Sequence, residues 1–415
     1  MSLMFGDPNT PPKSQSEQSV ASLIEETLSS VRELLGMEVA FVSEFSEGRR
    51  FFRFIDAGVE FCPISVDGSD PLEESYCQRV VDGRLPELIP DATQNAEART
   101  LAATLALPVG AHLSIPIRFR SGRVYGTFCC FSRSPDLSLG NRDLAVMKLF
   151  AGFLAKVLEE RDAAEQAKKA ITQRLRDVME KEQFETVFQP IFDIARHRII
   201  GFEALARFSP EPYRPPNEWI EDAVSVGLQK ELEQAILRKA LERLRHLPDD
   251  VFVSLNVAPA TLLEGAVGGV LAGYPLERIV LEITEHESVS DYARIAVELE
   301  PLRAQGMRIA VDDAGAGYAS FRHILNLQPD IIKLDGSLIQ NIDSGIASRA
   351  LAAALVRFAE ETGSQVVAEG VETEGELRTL RELNVANAQG FLLGRPKPAS
   401  EYPLFAAREA SRQGV

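Results

Sequence analysis

At 415 residues, 45% apolar and 25% charged, the chain is long enough for two or three domains, each burying its own core. A formal net charge of −17 excludes the basic face that a nucleic-acid polymer or an anionic membrane surface requires, so neither is expected as a partner. Four cysteines without metal-ligand spacing, two of them adjacent, indicate a reducing cytoplasmic setting, and no signal peptide or apolar run near ~18 residues marks a membrane span.

Residues 1–18 are rich in Pro, Ser and Asn and are expected to be a disordered lead-in. A helix follows, with Val20, Leu23, Ile24, Leu28, Val31 and Leu35 on one face and Gly36 as its stop. Strand-like runs come at Glu38–Phe45, Arg50–Ile55, His112–Phe119 and Arg123–Phe131, with about fifty residues of short helices and loops between the two pairs. An amphipathic helix begins near Gly140. The pattern predicts an antiparallel sheet with helices to one side, an α+β domain over residues 19–152.

Val124-Tyr125-Gly126-Thr127-Phe128-Cys129-Cys130-Phe131 followed by Asp143-Leu144 and Phe150-Ala151, together with Ser75-Tyr76-Cys77-Gln78-Arg79-Val80 and Leu88-Ile89-Pro90-Asp91-Ala92, resembles the GAF family of small sensory domains. The resemblance implies a regulatory domain that binds a small ligand of unknown identity, or none. Cys77 is either a tether for such a ligand or a small apolar core residue, and His112 either a ligand or a satisfied strand histidine.

From Phe153 to Glu182 the sequence is rich in Ala, Glu, Lys and Arg with no Gly or Pro, which predicts one long helix over 153–182. Leu154, Val157, Ala164, Ile171, Leu175 and Val178 keep near-heptad spacing interrupted by Arg161 and Lys168. Such a helix is either a signalling coiled coil in a homodimer or a solvated spacer.

Beyond it, short apolar runs alternate with helical segments: Val187–Phe192, Arg198–Ala206, Val251–Val257, Arg278–Ile283, Arg308–Asp312, Ile331–Leu334, Gln365–Ala368 and Ala388–Leu392. Eight strands joined mostly through helices predict a modified (β/α)8 TIM-type barrel, an α/β domain over 183–402 with a tail at 403–415. Residues 193–198 are too few for a crossover helix, so the first two strands form a hairpin and one strand runs against the rest. Several runs end in polar groups (Asn256, Glu282, Asp312-Asp313, Lys333, Glu369), which gathers them at the carboxyl-terminal mouth.

Phe188-Gln189-Pro190-Ile191, Gly201-Phe202-Glu203-Ala204-Leu205-Ala206-Arg207, Ser254-Leu255-Asn256-Val257, Leu281-Glu282-Ile283-Thr284-Glu285, Asp312-Asp313-Ala314-Gly315-Ala316-Gly317-Tyr318, Ile332-Lys333-Leu334-Asp335, Val367-Ala368-Glu369-Gly370-Val371-Glu372-Thr373 and Gln389-Gly390-Phe391 with Arg395-Pro396 resemble the successive motifs of EAL-domain cyclic-di-GMP phosphodiesterases. The diguanylate-cyclase signature that often accompanies them is absent.

Packed carboxylates repel, and divalent cations relieve the repulsion; oxygen-only ligation indicates Mg2+ or Mn2+, two per site, holding a phosphodiester and acidifying a water. By resemblance, Glu203, Asn256, Glu282 and Asp312 hold the first metal, and Asp312 bridges to a second supported by Asp313 and Glu369. Lys333 stands beside the attacking water, either as a base whose pKa the metals depress or as a charged stabiliser of phosphate. Gln189, Arg207 and Gln389 are substrate-binding positions, and Glu285 with Glu372 props the loop after Asp313. That loop departs from the family's Asp-Asp-Phe-Gly-Thr-Gly-Tyr at Ala314 and Ala316, which removes an apolar contact and a hydroxyl but no metal ligand. The implied activity is hydrolysis of cyclic-di-GMP to linear pGpG under control of the amino-terminal domain. The alternatives are a receptor that binds without cutting and, less in keeping with the hairpin start, an enolase-like lyase.

Overall fold

The structure is a computed structural model that describes residues 15–60, 62–106, 108–284, 291–315 and 318–403. The chain divides into two compact units, Met1–Ala167 and Lys168–Val415.

In the first unit a helix, Gln15–Leu35, precedes six strands: β1 (Val39–Ser46), β2 (Arg49–Ala57), β3 (Ser69–Pro71), β4 (Leu88–Ile89), β5 (Ala111–Arg118) and β6 (Val124–Ser132). They form one antiparallel sheet in the order β3-β2-β1-β6-β5-β4. Side chains of a strand alternate between faces, so each face has its own core. Ile24, Leu28 and Val31 of the first helix pack with Val42, Phe128, Cys130, Met147 and Leu154. Val39, Phe41, Phe52, Tyr76, Cys77, Cys129 and Phe131 form the second. The adjacent cysteines of β6 therefore belong to different cores. Two expectations are corrected: helix begins at Gln15, inside the stretch assigned to the lead-in, and Leu23 is 42% exposed because it falls beside the apolar stripe.

The predicted 153–182 helix is part of a longer one, Asn141–Glu180, of 40 residues. Gly152 does not interrupt it. Leu154 lies in the first unit's core with Val157 packed against it, while Leu175 and Val178 are buried with Phe184, Phe208 and Trp219, and Ile171 packs there too. The near-heptad residues thus serve their own units, and Ala164 between them is exposed.

The second unit contains β7 (Phe184–Asp193), β8 (Arg198–Phe208), β9 (Phe252–Val257), β10 (Ile279–Ile283), β11 (Arg308–Ala314), β12 (Ile331–Leu334), β13 (Gln365–Ala368), β14 (Asn387–Ala388) and β15 (Lys397–Pro398). Neighbours from β8 to β14 are parallel, and β7 is antiparallel to both β8 and β14, which closes the barrel. The predicted hairpin and reversed strand are both present. The eighth predicted strand shrinks to two residues, because the chain turns at 391–393 directly after Gln389-Gly390. β15, unforeseen, pairs with Phe188 and Val187 of β7.

Helices between the strands cover the outside, burying Leu237, Leu241, Ile295 and Leu299 on one side and Ile324, Leu355, Val356 and Leu380 on another. Inside, Ile191, Phe252, Val280, Ala310, Ile331 and Val367 form an apolar floor. Gly201 completes it, since a β-carbon there would lie 2.5 Å from the Phe252 ring. Two residues further along each strand, on the same face, stand Ser254, Glu282, Asp312, Lys333 and Glu369, so the period of the strand lifts a polar layer onto the apolar one. Among the described residues, no helix is long and apolar enough to cross a membrane.

Candidate active site

The polar layer is centred on Lys333 of β12, which is 1% exposed. Its Nζ lies 2.6 Å from Glu282 Oε2, 2.7 Å from Glu369 Oε1, 3.2 Å from Asp312 Oδ1 and 3.5 Å from Glu203 Oε2. Four strands thus deliver four carboxylates to one ammonium. Glu203 Oε1 also accepts from Asn256 Nδ2 at 3.0 Å, and its Oε2 accepts from Gln389 Nε2. Gln389 donates to Gln189 Oε1 as well, at 3.2 Å, joining β7 to the residue that follows β14. Ser254 donates to Glu282 Oε1.

A regular strand would send Asp312 and Asp313 to opposite faces. Instead the β11–β12 register shifts between Val311 and Ala314, and Asp313 has φ +54. This bulge turns both acids toward the mouth, in a left-handed conformation that Asp tolerates better than most residues. Oxygens of Asp312, Asp313 and Glu369 lie within 4.8 Å of one another, each residue half-buried.

Burial works against the Lys333 charge, but Asp312, Glu203, Glu282 and Glu369 more than offset it and hold its pKa well above the ordinary value. Burial and the charges of Glu203 and Asp312 push Glu282 up to about 8 against the pull of Lys333. Glu369 is raised for the same reasons, burial first. Burial would raise Glu203 also, yet Lys333, Gln389 and Asn256 bring it below its usual range. One ammonium among four carboxylates, two buried and two half-buried, leaves a surplus of negative charge, and every side chain there able to ligate a cation beside Lys333 offers an oxygen. That surplus, with the acid trio at the rim, fits hard divalent cations.

The cavity above this layer, about 310 Å³, is lined by Gln189, Glu203, Asp312, Lys333, Glu369 and Gln389, with Leu205, Glu372 and Phe391 at its sides. Gln389 Oε1 is buried without a hydrogen-bond partner among the described residues. Asn256 and Glu282 touch this constellation through Glu203 and Lys333 without lining the cavity. Arg207 is not brought into it: its Nη1 donates to the carbonyl of Ala206 at 2.8 Å. Glu285 and Ala316 lie outside the described residues. Glu372 is exposed at the rim; the loop after β13, on which it lies, is braced by Glu376, which accepts from the backbone N–H groups of Asn341, Glu372 and Thr373. The Thr373-x-x-Glu376 spacing is the sequence signal for this brace, a capping box with both hydrogen bonds formed. Ser254, also missed, is legible as the residue two before Asn256 on the same face of β9.

A hairpin-opened barrel with an acidic, lysine-centred mouth thus stands in one chain with an antiparallel α+β unit. The model of the EAL domain matches residues 172–396, more than half of the chain, and that of the GAF domain matches residues 17–159. The chain belongs to the EAL domain family. An uncharacterized signaling protein of Caulobacter vibrioides is 30% identical over 285 residues, 66% of this chain and 35% of that protein. An uncharacterized Sinorhizobium fredii protein is 29% identical over 322 residues, 74% of this chain and 39% of its own length. The chain therefore spans well under half the length of these relatives. Among solved structures, the PaMucR phosphodiesterase in complex with c-di-GMP is 29% identical, with a TM-score of 0.51, covering 56% of this chain and 99% of that one. The EAL enzyme Bd1971, bound to cAMP and cyclic-di-GMP, covers 90% of this chain at 17% identity and a TM-score of 0.55, a likeness of fold.

Proposed function

We propose that the barrel hydrolyses cyclic-di-GMP to linear pGpG with Mg2+ or Mn2+, and that the amino-terminal unit, residues 19–152 by sequence, adjusts the rate through the helix that follows it. The observation that carries this is the convergence of Glu203, Glu282, Asp312 and Glu369 on one buried Lys333, with Asp313 beside them at the mouth of a cavity. The likeness to a phosphodiesterase solved with c-di-GMP supports the substrate.

Glu203, Asn256, Glu282 and Asp312 would hold a first cation, and Asp312, Asp313 and Glu369 a second. Bound there, the cations supply Lewis acidity toward the phosphodiester and an acidified water. The chain's own residues do the rest. Lys333, at the centre of these acids, either stabilises negative charge developing on phosphate oxygens or, with its charge disfavoured by the cations, takes the proton of the attacking water. Gln189 and Gln389 fix each other and Glu203, and the buried Gln389 Oε1 accepts from a donor on the base or ribose. Phe391 offers a half-exposed ring for a guanine to stack on. Arg207, two residues beyond Leu205 on β8, swings from its Ala206 carbonyl to bind phosphate. The working form is a homodimer, which light scattering checks.

The test is incubation with cyclic-di-GMP and Mg2+ or Mn2+, followed by chromatography. Wild type yields pGpG, and Glu203→Ala and Lys333→Ala yield none. Tight binding with no product from any variant overturns hydrolysis and makes the chain a receptor.

A further inference from the structure

The second core of the amino-terminal unit holds chemistry that the barrel does not use. Cys77, on the short helix Tyr76–Val81, and Cys129, on β6, are both fully buried, and their Sγ atoms lie 3.5 Å apart. Arg50 Nη1 donates to Cys77 Sγ at 3.0 Å, while its Nε donates to Asp70 Oδ1 at 3.0 Å. Asp70 in turn lines a cavity of about 370 Å³ with Phe52, Ser69 and Glu74. One guanidinium thus separates the thiol pair from an opening on the surface. Ser114 and Thr127 hydrogen-bond Cys129, each at 3.1 Å. Two sulfurs, a cation on one of them and hydroxyls on the other exceed what apolar filling requires.

We propose that Cys77 and Cys129 form a reversible disulfide when a hydroperoxide enters through the Asp70 cavity, with Cys77 attacking and Cys129 resolving. The Cys77 thiolate attacks one peroxide oxygen; an S–O bond forms, the O–O bond breaks and hydroxide leaves, giving a sulfenic acid. Cys129 then attacks the Cys77 sulfur; the S–S bond forms, the S–O bond breaks, and the thiol proton departs with the hydroxyl as water. Two sulfurs lose two electrons in total, and hydrogen peroxide is reduced to one water and one hydroxide, which takes a proton from solvent to become the second water.

The division of roles follows from the surroundings. Burial alone would raise Cys77, but the Cys129 hydrogen bond, the Arg50 charge and a Thr127 contact bring it below the ordinary thiol range. Burial and the neighbouring Cys77 hold Cys129 up, so it remains a thiol with a proton to give. Cys130 faces the opposite core beside Met147 and serves as the internal control.

The experiment treats the full chain with hydrogen peroxide, alkylates it under denaturing conditions and maps the peptides. The expected product links the Cys77 and Cys129 peptides, is reversed by dithiothreitol, is absent in Cys77→Ser and is unaffected in Cys130→Ser. Its rate on wild type inflects below the ordinary thiol range. In Arg50→Gln the inflection moves up toward the ordinary thiol range and the rate at neutral pH falls about tenfold, thiolate loss being partly offset by higher nucleophilicity. Arg50→Lys recovers part of it. Four alkylatable thiols after peroxide, a link through Cys62 or Cys130, or Cys77 oxidised to sulfinic acid without a link overturns the proposal. A pH profile unmoved in Arg50→Gln overturns the role of Arg50.

Discussion

Lys333 shows how one side chain can organise a site and its stability together. Its ammonium is buried among four acids, and its removal leaves their charges uncompensated. Lys333→Met is expected to lose about 3–5 kcal/mol of stability at pH 8 in chelator, the usual cost of breaking a buried ion pair. Urea denaturation checks this, and at pH 5, where more of the acids are protonated, the loss shrinks. Glu376 behaves in the opposite sense. Burial would raise its pKa, but backbone donors at Glu372, Asn341 and Thr373 bring it below the ordinary value. Its contribution is therefore fully present above the unfolded carboxyl range near ~4.3 and is lost as pH falls through the lower folded value. Glu376→Gln should cost about 1–3 kcal/mol at neutral pH and less in acid, read as Tm against pH.

Among the elements, the β11 bulge separates geometry from charge. Asp313→Asn keeps a side chain that tolerates φ +54, so its stability should stay within about 0.5 kcal/mol of wild type while Mn2+ affinity falls. Asp313→Ala should lose a further 1–2 kcal/mol or so from backbone strain, and calorimetry with titration separates the two. The turn after β14 has no such latitude. A β-carbon on Gly390 would lie 2.2 Å from the Val371 nitrogen and oxygen, so Gly390→Ala should displace Gln389 and raise KM, with about 1–3 kcal/mol lost in stability.

These two elements also mark what sequence can convey. The strands from Arg308, Ile331 and Gln365 are legible because uninterrupted apolar runs end in a charge, and the two short ones, Ile331–Leu334 and Gln365–Ala368, have the expected ends. Convergence of the acids follows from the period of two along each strand. The bulge is not legible: Asp312-Asp313 has no local feature that shifts a register, which is set by pairing with Ile332 and Leu334 on β12. Nor does the sequence reveal how closely acids from four separate segments surround Lys333, since that depends on how the strands close into a barrel. Composition splits the helix over 141–180 at 152–153, where the backbone continues without a break.

For the molecule as a whole, cation binding at the mouth should couple to the stability of the second unit. A cation at one hundred times its Kd adds about 2.7 kcal/mol. For a unit of this size that is a rise in Tm of roughly 5–10 °C, absent in a Glu203→Ala, Asp312→Ala double variant, as differential scanning fluorimetry with and without Mg2+ would show. The amino-terminal unit contributes none of these ligands, so its own transition should not respond.

The bond between Gln189 and Gln389 joins residues that leave the ribosome at opposite ends of the barrel's synthesis. Tyr402, whose hydroxyl donates to the Phe188 carbonyl at 2.8 Å, adds a second such tie. A nascent chain halted before these residues emerge from the exit tunnel carries Glu203, Glu282 and Lys333 with the cylinder still unclosed. The closed mouth, with Gln189 and Gln389 paired across it, is completed only when the last strands, β14 and β15, join β7.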